Sequence, residues 1–297
     1  MTQHTTGGGD SASSPSVLES LTVHREKRPG IWIAGVIAVA VAGLVLFSLV
    51  TNQRFKWDIV AEYIVSEKIL AGLGLTLFLT LTCMAGSFIL GIVLALMVSA
   101  RNPVVQKIAQ VYLWVFRGTP VLVQLLLWFN LAALYPRIGI PGSIFQWSTN
   151  DLISPLSAAV IGLTLNEAAY MAEIIRSGLA SVDSGQVEAS KALGMRGSVA
   201  FRRIVLPQAM RVIIPPTGNE TISMLKYTSL VSVIALPELL YSAQIIASQN
   251  FQVIPLLMVA TIWYLLLTSI LSLVQSRIEK RFGRSTANLT VGKVKKL

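Results

Sequence analysis

Charged residues are scarce in this chain of 297 residues, at 13% of the total, whereas hydrophobic residues make up 54%. The charges are clustered, and the chain between the clusters consists of long apolar runs that the core of a soluble protein of this length does not require. A helix of about 20 apolar residues crosses the roughly 30 Å of hydrocarbon in a bilayer. The composition therefore argues against a soluble domain and predicts an integral membrane protein.

Cysteine and histidine are nearly absent. The single cysteine, Cys83, lies within an apolar run and can form no internal disulfide, so we expect it to serve in packing. The two histidines, His4 and His24, precede the first apolar run, and none of the runs contains histidine or aspartate. This excludes histidine-based metal sites and catalytic triads within the membrane, and it argues against an intramembrane protease or lipid transferase. We therefore expect no catalytic residue, metal site or cofactor.

Six apolar runs are each long enough to cross a membrane, so we predict an all-α, polytopic membrane protein with about six transmembrane helices. The runs cover residues 31–50, 69–100, 111–135, 156–175, 212–236 and 254–274. Polar residues and the pair Pro215 and Pro216 interrupt the fifth run, which predicts a broken helix there. Irregular backbone at membrane depth is tolerated only where protein or a water-filled cavity surrounds it, so this run is expected to face the protein interior.

The segment before the first run is rich in Ser, Thr and Gly and poor in apolar residues, which is typical of a disordered tail. It does not resemble a signal peptide, because the run that follows is long enough to span and no cleavage site of small residues comes after it. We therefore expect a disordered cytoplasmic tail, an additional N-terminal span, a transmembrane domain and a basic cytoplasmic tail. Their respective bounds are 1–29, 30–50, 69–282 and 283–297.

The net charge of +10 comes from basic residues that lie almost wholly between and beyond the apolar runs, so it predicts membrane topology and no nucleic-acid partner. With the N-terminus inside, 18 of the 24 Lys and Arg residues fall in cytoplasmic segments and 4 in external ones. The other two, Arg117 and Lys226, lie within runs. Because cytoplasmic loops are enriched in basic residues, both termini are expected in the cytoplasm and loops 51–68 and 136–154 outside.

The cytoplasmic loop between the fourth and fifth runs carries the most informative pattern, over about residues 183–210. Helical spacing over 187–193, with an acidic residue in the first turn, predicts a short helix that Gly194 ends. A second short helix is expected to begin near Ser198, and Pro207 is expected to influence its end. Two such helices under the membrane suit the docking of a soluble partner. The residues of the pattern are Glu188, Ala189, Ser190, Gly194, Ile204, Leu206 and Pro207.

This pattern resembles the EAA loop of importer-type ABC transporter permeases, with Ser190 in place of the usual second alanine. Further segments are similar to the polar amino-acid uptake permeases within that class. They are Phe116 to Pro120 with Gln124, Ala169 to Arg176, Phe201 to Ala209, and Pro215 to Leu230. The resemblance covers about residues 69–282 and implies a core of five spans, to which the chain adds one N-terminal span.

The resemblance implies a permease subunit that carries polar amino acids across the cytoplasmic (inner) membrane of a prokaryote. A separate ABC ATPase subunit would dock on the EAA loop and hydrolyse ATP, and this chain has no Gly-x4-Gly-Lys-Ser/Thr phosphate loop of its own. A periplasmic or lipid-anchored amino-acid-binding protein would deliver the substrate. A second permease subunit, identical or sister, would complete the membrane part.

Ionisable residues inside spans are costly and mark candidate functional sites. Helical spacing places Asn166, Tyr170 and Glu173 on one face, and a second polar stripe follows the fifth run. Two such stripes on adjacent helices would line a polar path, in which Glu167 could meet the ammonium of an amino acid and Arg117 its carboxylate. The second stripe consists of Asn219, Ser223, Lys226 and Ser229. The candidates for the path are Arg117, Asn166, Glu167, Tyr170, Glu173, Asn219 and Lys226.

Purely structural roles compete with substrate contact for these charges. Glu173 and Arg176 lie three residues apart near the inner end of a span, which favours a simple surface ion pair. For Lys226 we favour a structural ion pair with Glu220 or Glu173. These interpretations would remove all three charges from substrate recognition.

Arg117 and Glu167 leave both interpretations open. Arg117 precedes a glycine and a nearby proline, so it either shapes a helix entry or contacts substrate. Glu167 lies deeper in its run and has no basic neighbour in the sequence, so substrate contact and packing are evenly balanced.

Two other classes of membrane protein compete with the permease. An ion-coupled secondary amino-acid transporter would be expected to show paired repeats with matching broken helices, and the sequence predicts only one broken run. A structural or assembly protein of the membrane would not need the EAA-type loop. Dependence of uptake on ATP, or an ATPase that co-purifies and is lost when residues 183–210 are deleted, would separate these classes.

Overall fold

A computed structural model describes residues 29–140 and 146–294, and within these the side chains of residues 33–140 and 146–281. The predicted disordered tail, 1–29, falls almost wholly outside the described residues, as does the end of the basic tail at 295–297. The regular secondary structure of the described part is helical apart from one small two-stranded sheet. This confirms the predicted all-α, polytopic fold class.

The first helix belongs to a unit that ends at residue 52. Helix α1 covers Pro29–Thr51. Its residues 33–51 are long and apolar enough to cross a membrane, and their side chains are exposed. The helix therefore coincides with the run predicted as an additional N-terminal span.

The second unit contains the remaining elements. Its α-helices are α2 (Trp57–Tyr63), α3 (Glu67–Val98), α4 (Pro103–Gly118), α5 (Val121–Phe129), α6 (Leu131–Leu134), α7 (Thr149–Leu152), α8 (Pro155–Ala180), α9 (Ser184–Ala192), α10 (Gly197–Ala200), α11 (Leu206–Tyr227), α12 (Leu239–Asn250) and α13 (Val253–Val294). Short 3-10 helices cover Gln53–Phe55 and Thr228–Ile234, and a π-helical turn covers Phe201–Val205. Strands β1 (Arg137–Gly139) and β2 (Gln146–Ser148) pair antiparallel.

Among the described residues, four helices can cross a membrane by length and composition, and there are up to six spans if each of two bent helix pairs counts as one. The single helices are α1, α3, α8 and α13. One pair consists of α4 and α5, and the other of residues 197–234 and α12. Every apolar run overlaps one of these elements, so about six spans are expected from the structure as well.

The third run is not one straight helix, which corrects the span predicted over 111–135. Helices α4 and α5 meet at an angle of 103°. Thr119 has extended backbone angles (φ −119°, ψ 145°), as expected for a residue that precedes a proline. Pro120 has no N–H to continue the hydrogen-bond ladder of α4, so the chain turns at this point.

The break in the fifth run also lies elsewhere than predicted. Helix α11 continues through Pro215 and Pro216, and the chain bends by 43° only between Ile234 and α12. Side chains bond to the carbonyls near the prolines: Gln275 Nε2 donates to Pro215 O at 2.6 Å, and Thr217 Oγ1 donates to Ile213 O at 2.8 Å. Such partners let a membrane helix tolerate proline, so the break falls where the 3-10 helix ends.

The second unit is organised around α3 and α8, which share the most extensive contact between helices. Gly91 of α3 allows the close approach, because a Cβ there would lie 3.1 Å from the backbone nitrogen of Ala172. Cys83 and Leu163 are buried in the core between them, so Cys83 is a packing residue as predicted. Helices α5 and α11 also pack on α8, and α13 packs on α11 and α12.

Candidate functional site

The loop between α8 and α11 contains a short helix that ends at a glycine, as predicted. Gly194 adopts a positive φ of 69°. Its N–H donates to Lys191 O at 2.9 Å, and the N–H of Met195 donates to Ser190 O at 3.0 Å. This pair of bonds is the Schellman motif, which favours glycine because other residues are strained at positive φ. Gly194 therefore directs the chain from α9 towards α10.

Helix α9 presents an exposed surface beside this turn. Glu188 and Ala189 are exposed, whereas Ser190 is buried and donates to Val187 O at 2.7 Å. Because α9 begins at residue 184, Glu188 lies in the second turn and not in the first, which corrects the prediction. Sequence reasoning did not single out Leu193, which is 79% exposed at the end of α9. Leu193 extends the exposed surface that Glu188 and Ala189 form on α9.

The second short helix of the loop does not end near Pro207. Helix α10, the π-helical turn and α11 follow one another without interruption. The N–H of Leu206 donates to Phe201 O, five residues back, and Pro207 lies in the first turn of α11. Ile204 and Leu206 are half-buried. The loop is thus joined by continuous helix to the polar stripe of α11.

Arg117 at the end of α4 meets two of the predicted path residues on α8. Its Nη1 lies 3.9 Å from Glu173 Oε2, and its Cζ lies 5.6 Å from the centre of the Tyr170 ring. Arg176 also pairs with Glu173, through Nε to Oε2 at 3.3 Å and through Nη2 to Oε1. The predicted pair of Glu173 and Arg176 is therefore confirmed, but Glu173 serves Arg117 as well.

A cavity of about 670 Å³ opens beside this pair, between the end of α3, α4 and α8. Its polar lining consists of Ser99, Gln106, Gln110, Glu173 and Arg176. Exposed ion pairs contribute little to stability, so Glu173 and Arg176 can separate at small cost.

Asn166 is buried against the bend between α4 and α5 and does not line an open path. Its Nδ2 donates to Phe116 O at 2.9 Å and to Gln124 Oε1 at 3.2 Å. Asn166 and Tyr170 lie on the same face of α8, as their spacing predicts, and both contact the end of α4. The partners of Asn166 on that face are Phe116 and Gln124, so its role there is structural. Sequence reasoning noted Gln124 only as part of the family resemblance, and a polar residue in an apolar helix is the signal that could have identified it.

Glu167 is the most buried of the predicted charges, with 1% of its surface exposed. Its Oε1 has no hydrogen-bond partner among the residues that the structure describes. Glu167 interacts electrostatically with Glu220, and Tyr227 interacts with both carboxylates and with Tyr170. The junction of α8 and α11 therefore holds two acidic groups whose charge is not neutralised by the ion pairs found in the described part of the chain.

The second polar stripe lies on the surface of the single chain. Asn219 and Lys226 of α11 are exposed, and Ser229 Oγ donates to Lys226 O at 2.6 Å. The ion pair predicted between Lys226 and Glu220 or Glu173 is wrong, because both ion pairs within the described residues bring an arginine to Glu173.

One buried carboxylate escaped sequence reasoning altogether. Glu238 has no exposed surface and caps α12 by accepting hydrogen bonds from the N–H groups of Leu240 and Tyr241 at 3.0 and 2.8 Å. Tyr264 Oη and Thr76 Oγ1 donate to it at 2.8 and 3.4 Å. An acidic residue after a proline, at the start of a new helical pattern, is the signal that could have predicted this cap.

The described residues include no cluster of three or more His, Cys, Asp or Glu side chains that could hold a metal ion. The site consists instead of buried acidic and amide groups between membrane-length helices, with a helical loop exposed at one end. This arrangement is that of a polytopic membrane protein with buried polar groups between its helices.

Comparison with known proteins identifies the family. A model of the binding-protein-dependent transport system inner membrane component matches residues 87–284, and the chain belongs to this family. The arginine transport system permease protein ArgU of Corynebacterium glutamicum is 46% identical over 96% of this chain and 89% of its own length. The L-cystine transport system permease protein TcyB of Bacillus subtilis is 38% identical over 81% of this chain and 97% of its own.

A solved structure agrees with the relatives. The crystal structure of an amino acid ABC transporter with histidines matches with a TM-score of 0.63 and 36% identity, and it covers 72% of this chain and 94% of the matched chain. The resemblance to amino-acid permeases of the ABC class is thereby confirmed. Membership of this family argues against the ion-coupled secondary transporter. The sequence argument against that class, that only one run is broken, no longer holds, because the described structure contains two bent helix pairs.

Proposed function

We propose that this chain is the permease subunit of an ATP-driven importer of polar amino acids, and that Glu167 receives a positively charged group of the substrate. The observation that carries the proposal is the buried Glu167 carboxylate, whose Oε1 has no hydrogen-bond partner among the described residues. A buried charge without a partner is costly, so such a group is retained where a ligand supplies the partner. The α-ammonium or a basic side chain of an amino acid meets this requirement.

The charges around the site favour a cationic substrate. Glu167 and Glu220 lie together at the junction of α8 and α11, and Arg117 lies against Tyr170, which follows Glu167 by three residues on α8. An amino acid placed between them would direct its positive groups to the acids and its carboxylate to the guanidinium. The similarity to the relative named as an arginine transport system permease supports a basic side chain.

The α9 helix and the Gly194 turn form the proposed docking site for a separate ABC ATPase. Glu188, Ala189 and Leu193 are exposed there, and continuous helix leads from α10 to the polar stripe of α11. A displacement of the docked loop would therefore be transmitted along a stiff element to Glu220. The name of the family supports docking of a soluble binding protein, which we place on the external side.

A second permease subunit, identical or sister, would complete the path. Asn219 and Lys226 are exposed on α11, and charged side chains are costly against lipid. We propose that a second permease covers this stripe and encloses the path between the two subunits.

The distribution of basic residues supports the proposed orientation in the membrane. Both termini and the loop with α9 lie in the cytoplasm of a prokaryote, and loops 51–68 and 136–154 lie outside.

Uptake by the reconstituted complex tests the proposal. Proteoliposomes that contain the permease, its ATPase and its binding protein are assayed with radiolabelled L-arginine in competition with L-glutamine, L-histidine and L-leucine. Uptake that needs ATP and is competed by polar amino acids is expected. Uptake driven by an ion gradient without ATP would contradict the importer, and a preference for L-leucine would contradict the substrate class.

A further inference from the structure

We propose that Gln124 is a positioning residue of the substrate path, which acts through Phe116 and Asn166 to hold Arg117 and Glu167 in place. The inference rests on the proposed function for the roles of Arg117 and Glu167. It adds a residue whose hydrogen-bond partners are Phe116, Thr119 and Asn166. The hydrogen-bond network at the bend between α4 and α5 carries the inference.

The bend leaves the last carbonyls of α4 without helical partners, since Pro120 supplies no N–H. Gln124 Nε2 donates to Phe116 O at 3.0 Å, to Thr119 O at 3.1 Å and to Thr119 Oγ1 at 2.7 Å. Gln124 is only 6% exposed, so water is a poor substitute for these bonds. One side chain therefore closes the turn that follows Arg117.

The same amide joins the bend to α8. Its Oε1 accepts a hydrogen bond from Asn166 Nδ2 at 3.2 Å, and Asn166 Nδ2 also donates to Phe116 O at 2.9 Å. One turn earlier in α4, Tyr112 Oη donates to Leu165 O at 2.7 Å. The bend is thus attached to α8 at two consecutive residues, and the next residue of α8 is Glu167.

Phe116 and Asn166, which this network holds in place, are the direct neighbours of the two proposed substrate contacts. Phe116, whose carbonyl accepts from both amides, precedes Arg117, and Asn166 precedes Glu167. The side-chain amide donates to the carbonyls of the bend through its nitrogen and accepts from Asn166 through its oxygen. Methionine, which is similar in shape, and ionised glutamate have no donor and cannot reproduce both functions.

The test measures whether Gln124 acts through Arg117. Equilibrium binding of radiolabelled L-arginine to the purified permease–ATPase complex is compared for wild type, Gln124→Met, Arg117→Ala and the double variant. We expect Gln124→Met to weaken binding by about tenfold, and to weaken it by a smaller factor once Arg117 is alanine, because only the effect through Asn166 and Glu167 then remains. Gln275→Met is the matched control, because Gln275 is also 6% exposed and donates to a backbone carbonyl, that of Pro215. It should leave the affinity unchanged.

A second measurement needs no substrate. In a background with Cys83 replaced by alanine, the rate of thiol modification of Arg117→Cys is measured with and without Gln124→Met, and a change of several-fold is expected. Independent effects of Gln124→Met and Arg117→Ala on binding, an equal effect of Gln275→Met, or an unchanged modification rate would overturn the positioning role. A wild-type complex that binds and transports no amino acid would defeat the proposed function, while the modification rate would still decide the role of Gln124.

Discussion

Asn166 and Glu167 are adjacent in α8, yet their side chains meet opposite kinds of neighbour. The Asn166 amide nitrogen is engaged, because Nδ2 donates to Phe116 O at 2.9 Å and to Gln124 Oε1 at 3.2 Å. Glu167 is more deeply buried, and its Oε1 lacks a hydrogen-bond partner in the described part of the chain. Consecutive helical residues differ by about 100° in direction, so one faces the bend of α4 and the other faces α11. A hydrogen-bonded structural residue, Asn166, thus directly precedes the proposed substrate contact, Glu167.

Replacing Glu167 by Gln should separate transport from stability. The change keeps the shape and removes a buried charge without an ion-pair partner among the described residues, so the free energy of unfolding should stay level or rise by about 1–2 kcal/mol. Uptake should fall, most strongly for basic amino acids if the carboxylate meets the side chain. Initial rates for L-arginine and L-glutamine, with exposed Glu62→Gln as control, provide the measurement. Unchanged rates for both substrates would reduce Glu167 to a packing role.

Replacing Glu238 by Ala should have the opposite result. This carboxylate accepts bonds from Leu240 N, Tyr241 N and Tyr264 Oη, so its removal leaves buried donors unpaired. We expect a loss of about 2–4 kcal/mol in stability, seen as a lower thermal-unfolding midpoint of the purified complex. Substrate preference among the protein that remains folded should not change. An unaltered midpoint would show that the cap contributes nothing to stability.

Replacing Gly194 by Asp should uncouple transport while leaving insertion intact. The position has φ 69°, which costs a side chain roughly 1 kcal/mol, and no described atom lies within 4 Å of the Cβ that would be added. The effect would therefore come from the direction of the chain and the new charge, not from a clash. Gly197→Asp is the control, since it also has open space but no positive φ. The measurements are the co-purification of the ATPase and the rate of uptake. If Gly194→Asp takes up substrate at the wild-type rate with the ATPase still bound, the docking role is contradicted.

Replacing Gly218 by Ala should disturb the contact between α11 and α13. A Cβ at Gly218 would overlap the Gln275 side chain, so we expect a cost of about 1–3 kcal/mol in stability. Shortening Gln275 to alanine in the same protein should recover part of the loss. Gly74→Ala, in open space on α3, is the control and should not lower the unfolding midpoint. A double variant no more stable than Gly218→Ala would place the cause elsewhere.

The topology can be tested with single cysteines in a background without Cys83. Asn150→Cys should react with an impermeant thiol reagent on intact cells, and Ser198→Cys should react only after the membrane is opened. Both positions are exposed in the structure, so accessibility is limited by the membrane and not by burial. The basis is the distribution of basic residues, 18 against 4. The reverse pattern would invert the proposed orientation.

The amino-acid sequence by itself determined the features that depend on local chemistry. Apolar runs of sufficient length specify membrane helices, because every backbone group must find its partner within the segment. Gly194 was predictable for the same reason, since a helix end bonds to residues only a few positions away. The pairing of Glu173 with Arg176, three residues on, also follows from the geometry of one helix.

Tertiary structure decided everything that depends on which helices are neighbours. Asn166 and Gln124 are 42 residues apart, and nothing local to either one indicates that their amides bond. Glu238 likewise gains partners from α3 and α13. Conversely, Lys226 forms no ion pair within the described residues, although Glu220 is only six residues away in the sequence. The prolines of α11 gave a misleading local signal, because Gln275 of another helix bonds to that backbone. A polar group in a membrane protein takes its role from the partner that packing brings to it, and that partner is set by the arrangement of whole helices.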